Sequence, residues 1–269
     1  METDSVKLSV RNVCKTFRVR GSGGAKDRLL HVLRNLSFDM RQGEVVSLIG
    51  ESGCGKTTLL RIIQGLVRMD SGTVSVDGRT VTGPGRDRGF VFQQASLLPW
   101  RTARHNVEFG LELQGMPRAA RTERAAKLLE LVGLGHAVDQ YPHQLSGGMQ
   151  QRIGLARALA IDPAILLMDE PFSALDAQTR ETLQVELMRI HEQTSKTTLF
   201  VTHDLDEAIY LSDRVVVLAA NPGRAQQIIN VPFRHPRPEL VELRAASEFQ
   251  EIRREMWSLI STSAAAAAA

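Results

Sequence analysis

The chain has 269 residues, 43% hydrophobic and 23% charged, and 33 Lys and Arg against 30 Asp and Glu leave a formal net charge of +3. This is enough chain for one large α/β domain or a core with a smaller lobe, and the near balance of charge argues against a nucleic-acid-binding surface. No apolar run approaches the roughly eighteen residues of a membrane span, Met1 to Ser9 lack a signal-peptide core, and Cys14 and Cys54 alone exclude a disulfide framework, so a reducing cytosol is expected.

Val6-Lys7-Leu8-Ser9-Val10 alternates polar and apolar residues and predicts a half-buried strand, with Phe17 just beyond it. Gly21 to Asp27 reads as a glycine-rich loop tip; with no Lys-Ser/Thr pair or helix start in register, it is not a second phosphate loop. Val32 to Met40 resumes strand patterning, and Arg41 to Glu44 turns. The apolar run Val45 to Ile49 then predicts a short buried strand, and Leu59 to Ile63 the body of a helix.

Between that strand and helix lies Gly50-Glu51-Ser52-Gly53-Cys54-Gly55-Lys56-Thr57-Thr58, which has the spacing G-x-x-x-x-G-K-[ST] of a phosphate-binding loop. Glycines let the backbone wrap closely around an anion, so that successive N–H groups converge on it. The helix behind adds its unpaired N–H groups and the positive end of its dipole. Lys56 would reach the β- and γ-phosphates, and the Thr57 hydroxyl would ligate Mg²⁺. Cys54 occupies a position where the motif uses backbone, so it is not read as catalytic.

Thr73 to Val76 predicts a strand, Asp77-Gly78 a hairpin turn, and Gly89-Phe90-Val91-Phe92 an apolar run leading to Gln93. From about residue 95 to 160 the pattern becomes helical, around Val107 to Leu113, Arg118 to Val132 and Gly147 to Ala160, the last with Ile153, Ala156 and Ala160 on one face. This predicts a helical lobe inserted into the α/β core. Ala164 to Met168 is a buried strand ending in Asp169-Glu170. Asp176 can cap a helix to about Ser195 with Leu183, Leu187 and Ile190 inward; Thr197 to Val201, Leu205 to Leu211 and Arg214 to Leu218 then read strand, helix, strand. Apolar strands alternating with helices imply a mostly parallel sheet covered on both faces. Past Pro232 the chain is proline-rich, then helical with Ile252, Met256 and Leu259 in register, ending in a low-complexity alanine run.

Two further segments extend the phosphate-loop reading. Asp169-Glu170 at a strand end is able to deliver one carboxylate to a metal ion and another to an attacking water. Leu145-Ser146-Gly147-Gly148-Met149-Gln150-Gln151-Arg152 puts a serine hydroxyl and two glycine amides at a helix start, a second anion-binding nose. With these in hand, the sequence resembles the ATPase subunits of ABC transporters over nearly its whole length. Gly50–Thr57 matches their Walker A motif, Leu145–Gln150 the signature motif, Ile165–Glu170 Walker B and Ser173-Ala174-Leu175-Asp176 the D-loop. Gln93 corresponds to the Q-loop glutamine, His203 to the switch histidine, and Phe17 to the aromatic, usually tyrosine, that stacks on adenine. The fold the resemblance implies is a P-loop NTPase (RecA-like) core with an N-terminal antiparallel β subdomain and an inserted helical subdomain. An ATPase domain over 1–232 and a helical tail over 233–269 follow.

The resemblance implies a head-to-tail homodimer, each ATP lying between the Walker A loop of one subunit and Ser146, Gly147, Gly148 and Gln150 of the other. Glu170 would polarise the attacking water; Thr57, Gln93 and Asp169 would hold Mg²⁺ or its waters; Lys56 and His203 would stabilise charge on the transferring phosphoryl group. Gln93 therefore counts with the catalytic set as well. Partners would be transmembrane permease subunits and, through them, a periplasmic or surface solute-binding protein, with the ATPase peripheral on the cytoplasmic face of the inner membrane. Nucleic acid is not an expected partner; the alternative reading is a non-transport ABC-type ATPase acting on nucleic acid or ribosomes.

Thr82 to Gly89 before Phe90-Val91-Phe92-Gln93, Leu97 to Thr102 with Asn106-Val107, and Asn221-Pro222-Gly223-Arg224 are similar to the nitrate/sulfonate/taurine import branch. Sulfonate, taurine, nitrate, pyrimidine and bicarbonate stay open as solutes. Leu98-Pro99-Trp100 offers an apolar groove for a short helix of a membrane partner, while the plainer reading packs Trp100 in the helical lobe; both hold together if the ring buries one face only.

Overall fold

The computed structural model describes residues 5–20 and 27–268, so all but Asp27 of the loop tip expected at Gly21–Asp27 lies outside the described residues. In chain order the elements are β1 (Val6–Val19), β2 (Arg28–Arg41), β3 (Val45–Gly50), α1 (Lys56–Gln64), β4 (Ser71–Val76), β5 (Arg79–Thr80) and β6 (Arg88–Val91). Then come α2 (Ala103–Leu113), α3 (Arg118–Leu131), α4 (Gly147–Ala160), β7 (Ile165–Asp169), α5 (Ala177–Thr194) and β8 (Thr197–Val201). The chain closes with α6 (Leu205–Leu211), β9 (Arg214–Ala219), β10 (Arg224–Asn230), α7 (Leu240–Ala245) and α8 (Ser247–Ala268). No described helix is long and apolar enough to cross a membrane. The chain divides into two compact units, Met1–Gly85 with Thr197–Ala269, and Arg86–Lys196.

The first unit contains an antiparallel sheet in the order β2-β1-β4-β5. Leu8, Val10 and Val13 on β1 and Leu33, Leu36, Phe38 and Met40 on β2 face inward with almost no exposure. β1 runs nine residues past the predicted stretch, to Val19, and carries Phe17 within it opposite Leu30. The extension is mostly exposed ribbon, held by pairing along β2 rather than by an alternating apolar face. β3 pairs in parallel with β8 on one side and β9 on the other, and β10 pairs antiparallel to β9. All six positions of β3 are buried, as expected for a strand covered on both faces. β10 was not anticipated, because Arg224, Gln226 and Gln227 break the apolar alternation on this edge strand.

The C-terminal tail is tied into the same unit. Phe249 and Met256 are fully buried, and Asp206 on α6 pairs with Arg244 (3.1 Å) and Arg253 (2.8 Å). Asp213 accepts hydrogen bonds from the Val45 N–H (2.8 Å) and His235 Nε2 (3.1 Å), while Arg237 donates to the Ser212 carbonyl at 2.6 Å. Burial pushes the Asp213 carboxyl up, but the His235 bond, the Val45 N–H and the Arg237 charge outweigh it and hold the group below its ordinary value of 3.8. A carboxyl depressed by folding adds stability above its unfolded value and loses that contribution as pH falls through the folded one. Denaturant melts at pH 5 and pH 3 are therefore expected to differ less for Asp213→Asn than for wild type; equal differences would show that this carboxylate does not tie down the tail.

In the second unit β6 and β7 run parallel, Val91 opposite Met168, so the segments after them leave the sheet at the same edge. Ile153, Ala156 and Ala160 of α4 are fully buried, and Leu183, Leu187 and Ile190 of α5 face inward as predicted. Thr102 caps α2, its Oγ1 accepting the His105 N–H, so this helix starts four residues before the predicted Val107.

Candidate functional site

The phosphate loop follows β3 and opens α1. Gly53 and Gly55 have φ of +82° and +97°, a region open to glycine at little cost. A Cβ on Gly55 would also sit 2.7 Å from Leu33 Cδ2. Gly55 caps α1 without a side-chain hydrogen bond of its own. Lys56 is 7% exposed and its ammonium donates to the carbonyls of Gly50 (2.7 Å) and Glu51 (3.0 Å), curling the loop around the cation. Ser52 and Thr57 are exposed, while Cys54 is buried. Burial pushes the Cys54 thiol up against the pull of the Lys56 charge, which leaves it a neutral filler rather than a nucleophile. A glycine-rich loop with an adjacent ammonium and a helix N-terminus fits a polyphosphate.

Gly223 braces this loop from behind. Its N–H donates to the Val32 carbonyl and its own carbonyl accepts the Arg34 N–H, both at 2.9 Å. A Cβ there would lie 2.1 Å from the Cys54 carbonyl oxygen, a contact only backbone movement could relieve. Gly223→Ala is thus expected to weaken ATP binding about tenfold or more by displacing Cys54 and the amides beside it, an amount within the range for loss of one or two charge-assisted hydrogen bonds. Titration with a fluorescent ATP analogue checks this against Gly83→Ala, where a Cβ meets nothing within 4 Å. Equal affinity in both variants would remove the brace.

His203 follows β8, the strand beside β3, and its ring is exposed. The Thr202 N–H donates to the Leu48 carbonyl at 3.2 Å, tying this turn to the strand that carries the phosphate loop. Thr202 Oγ1 donates to Glu207 at 2.5 Å, and Asp204 caps α6 through the Asp206 and Glu207 N–H groups. The backbone around the histidine is thereby fixed. Phe17 is 38% exposed, with the Lys15 ammonium 5.0 Å from its ring centroid, so the aromatic face expected to stack on a base is present at the surface of β1.

The other expected residues belong to the second unit. Asp169 ends β7 and Glu170 follows with φ +46°, a left-handed conformation uncommon for a non-glycine residue and typical of places where a side chain is re-aimed. Gln93 follows β6 at the same sheet edge, where ligands of parallel sheets bind. Its amide donates to Ser173 Oγ at 3.0 Å, which joins Gln93 to the turn that follows Glu170. Two side chains of α4 fix the backbone around Gln93: Gln151 donates to the Phe92 carbonyl (2.9 Å), and Arg157 donates to those of Ala95 (2.7 Å) and Ser96 (2.9 Å). Sequence reasoning missed these two supports. The available signal was Arg157 set among the buried, apolar positions from Ile153 to Ala160; Gln151, between Gln150 and Arg152, gave none.

Ser146 caps α4 by accepting the Met149 N–H at 3.3 Å. Ser146 and Gly147 are exposed at the nose, and Gly148 is buried, where a Cβ would lie 2.8 Å from Thr179 Cγ2. The Gln150 amide donates back to the carbonyls of Pro142 (2.9 Å) and Leu145 (3.2 Å), bracing the nose from within. Trp100 is 72% exposed, so it does not pack in the helical lobe. Its loop is held instead by buried Asn106, which accepts the Leu98 N–H (2.8 Å) and donates to the carbonyls of Leu98, Arg101 and Thr102.

A protein-family model described as "ABC transporter" matches residues 33–173. An uncharacterized ABC transporter ATP-binding protein of Methanocaldococcus jannaschii is 51% identical, across 95% of this chain and 91% of its own. A nitrate import ATP-binding protein of Synechocystis is 46% identical over 85% and 87% of the two chains, and a taurine import ATP-binding protein of Pseudomonas aeruginosa 44% over 93% and 94%. Among solved structures, a dimeric post-hydrolysis ATP-binding cassette bound to ADP and Pi is similar at TM-score 0.72 and 34% identity, covering 84% of this chain and all of that one.

Proposed function

This chain belongs to the ATP-binding proteins of ABC transporters and is an ABC-type ATPase; from that premise we propose that it powers uptake of a small anion of the nitrate, sulfonate or taurine kind. The observation that carries the reading is the presence in one chain of two anion-binding helix noses, the phosphate loop at Gly50–Thr58 and the exposed Ser146-Gly147 at α4. In a head-to-tail dimer each nose would complete the other subunit's site. Catalysis of phosphoryl transfer is mostly positioning and electrostatics. Lys56 and the loop amides would hold the phosphates, Phe17 the base, and Ser146, Gly147 and Gly148 of the second copy the γ-phosphate. Glu170 would take a proton from the attacking water and His203 would steady charge on the transferring group. Thr57, Asp169 and Gln93 each carry an oxygen donor of the kind Mg²⁺ prefers and would be its ligands, and that ion would neutralise charge on the β- and γ-phosphates.

Closure of the dimer on ATP would reorient two transmembrane subunits, placing the protein on the cytoplasmic face of the membrane. Exposed Trp100 beside Leu98 and Pro99 supports a groove for a short helix of such a subunit. The likeness to nitrate and taurine import proteins supports the solute class. The test is ATP hydrolysis in proteoliposomes carrying the permease subunits and their binding protein. Hydrolysis that rises when the binding protein is loaded with taurine, a sulfonate or nitrate is the expected result. Hydrolysis that responds to none of these anions, or only to added RNA, would overturn it.

A further inference from the structure

Gln93 has two chemically different ends, and only its oxygen can serve a cation. The structure contains a device that decides which end is presented. The Glu170 carbonyl oxygen, an acceptor only, takes the Ser173 N–H at 3.2 Å and the Ser173 hydroxyl at 2.9 Å. A hydroxyl has one proton. Having given it to Glu170, Ser173 Oγ can only accept from the Gln93 end 3.0 Å away, which must therefore be the amide nitrogen. A reversed amide would set Oε1 against Ser173 Oγ, and the single serine proton could then satisfy Gln93 or Glu170 but not both. The Gln93 backbone cannot easily drift out of this contact, because Gln151 and Arg157 hold the carbonyls of Phe92, Ala95 and Ser96 on either side.

We infer that Ser173 is a positioning residue that sets the polarity of the Gln93 amide, leaving Oε1 as the end presented to the divalent cation that accompanies ATP. The inference rests on the ATPase reading. It makes the same hydroxyl responsible for two things: the direction of the Gln93 side chain and a hydrogen bond on the turn that places Glu170.

The test measures affinity for a fluorescent ATP analogue with Mg²⁺ and in excess EDTA, for wild type, Ser173→Ala and Ser173→Thr, alongside thermal melts. Without the serine hydroxyl the Gln93 side chain loses the hydrogen bond that fixes both its rotamer and the polarity of its amide. The gain in affinity that Mg²⁺ confers is expected to fall about three- to tenfold in Ser173→Ala, as for loss of one oriented hydrogen bond, with affinity in EDTA unchanged. Ser173→Thr keeps a hydroxyl and is expected to recover the wild-type gain. A full Mg²⁺-dependent gain in Ser173→Ala, or equal losses with and without Mg²⁺, would overturn the inference, as would a threonine variant that behaves like alanine. A wild-type protein that binds no ATP analogue would overturn the ATPase reading itself, and is recognised by its failure in both buffers.

Discussion

Glu170→Gln is expected to lower ATP turnover by roughly two to four orders of magnitude, the usual worth of a positioned general base, while ATP still binds. The side chain stands one residue past Asp169 at the end of β7, on a residue with φ +46°. That turn costs energy for a residue with a Cβ, and Ser173 N–H and Oγ bonds to the Glu170 carbonyl help hold it. Glutamine keeps the shape and the backbone but cannot accept a proton. Binding is expected to survive because the groups assigned to the phosphates, Lys56 and the Gly50–Thr58 amides, are untouched. Single-turnover hydrolysis together with equilibrium ATP binding separates the two effects. Turnover near wild type would take Glu170 out of the role assigned to it.

Lys56→Ala is expected to do the opposite, weakening ATP binding by about two orders of magnitude or more and abolishing measurable hydrolysis. Two losses add. The ammonium would no longer form charge-assisted bonds to the phosphates, each worth about 1.5–3 kcal/mol. The carbonyls of Gly50 and Glu51 would also lose the donor around which the loop is curled, at 2.7 and 3.0 Å. Lys56→Arg is not a rescue, since a planar guanidinium cannot occupy the same 7%-exposed space as a compact ammonium. Isothermal titration with ATP checks the first effect. Binding within about threefold of wild type would mean that the backbone amides alone carry the affinity.

Much of this was legible in sequence because the chemistry constrains residue type at fixed spacing. The loop Gly50–Thr58 needs glycine where φ is positive, and the buried run Val45–Ile49 announces the strand before it. The Asp176 cap and the inward Leu183, Leu187 and Ile190 of α5 follow from helical periodicity alone. What was illegible has a common physical cause. β10 is an edge strand whose glutamines face outward, so its pairing with β9 leaves no alternation to read. Gly223 matters because the Cys54 carbonyl passes against it, and no local pattern reports a contact between residues so far apart in the chain. Gln151, Arg157 and Asn106 are polar residues whose partners are loop carbonyls, and a carbonyl has no sequence signature. Trp100 had two compatible readings, packing in the helical lobe and a place in a groove, and periodicity alone could not weigh them; the structure leaves it exposed.

The central claim is that two copies of this chain close on ATP, each supplying Ser146-Gly147-Gly148 to the other's phosphate loop. Sedimentation equilibrium of Glu170→Gln with and without Mg-ATP tests it most directly, since a protein that binds ATP without hydrolysing it should accumulate in the closed state. The account predicts a monomer without nucleotide and a dimer with Mg-ATP, the dimer lost again when Ser146 is replaced by arginine. A Glu170→Gln protein that binds Mg-ATP and stays monomeric, or a dimer indifferent to Ser146→Arg, would contradict it.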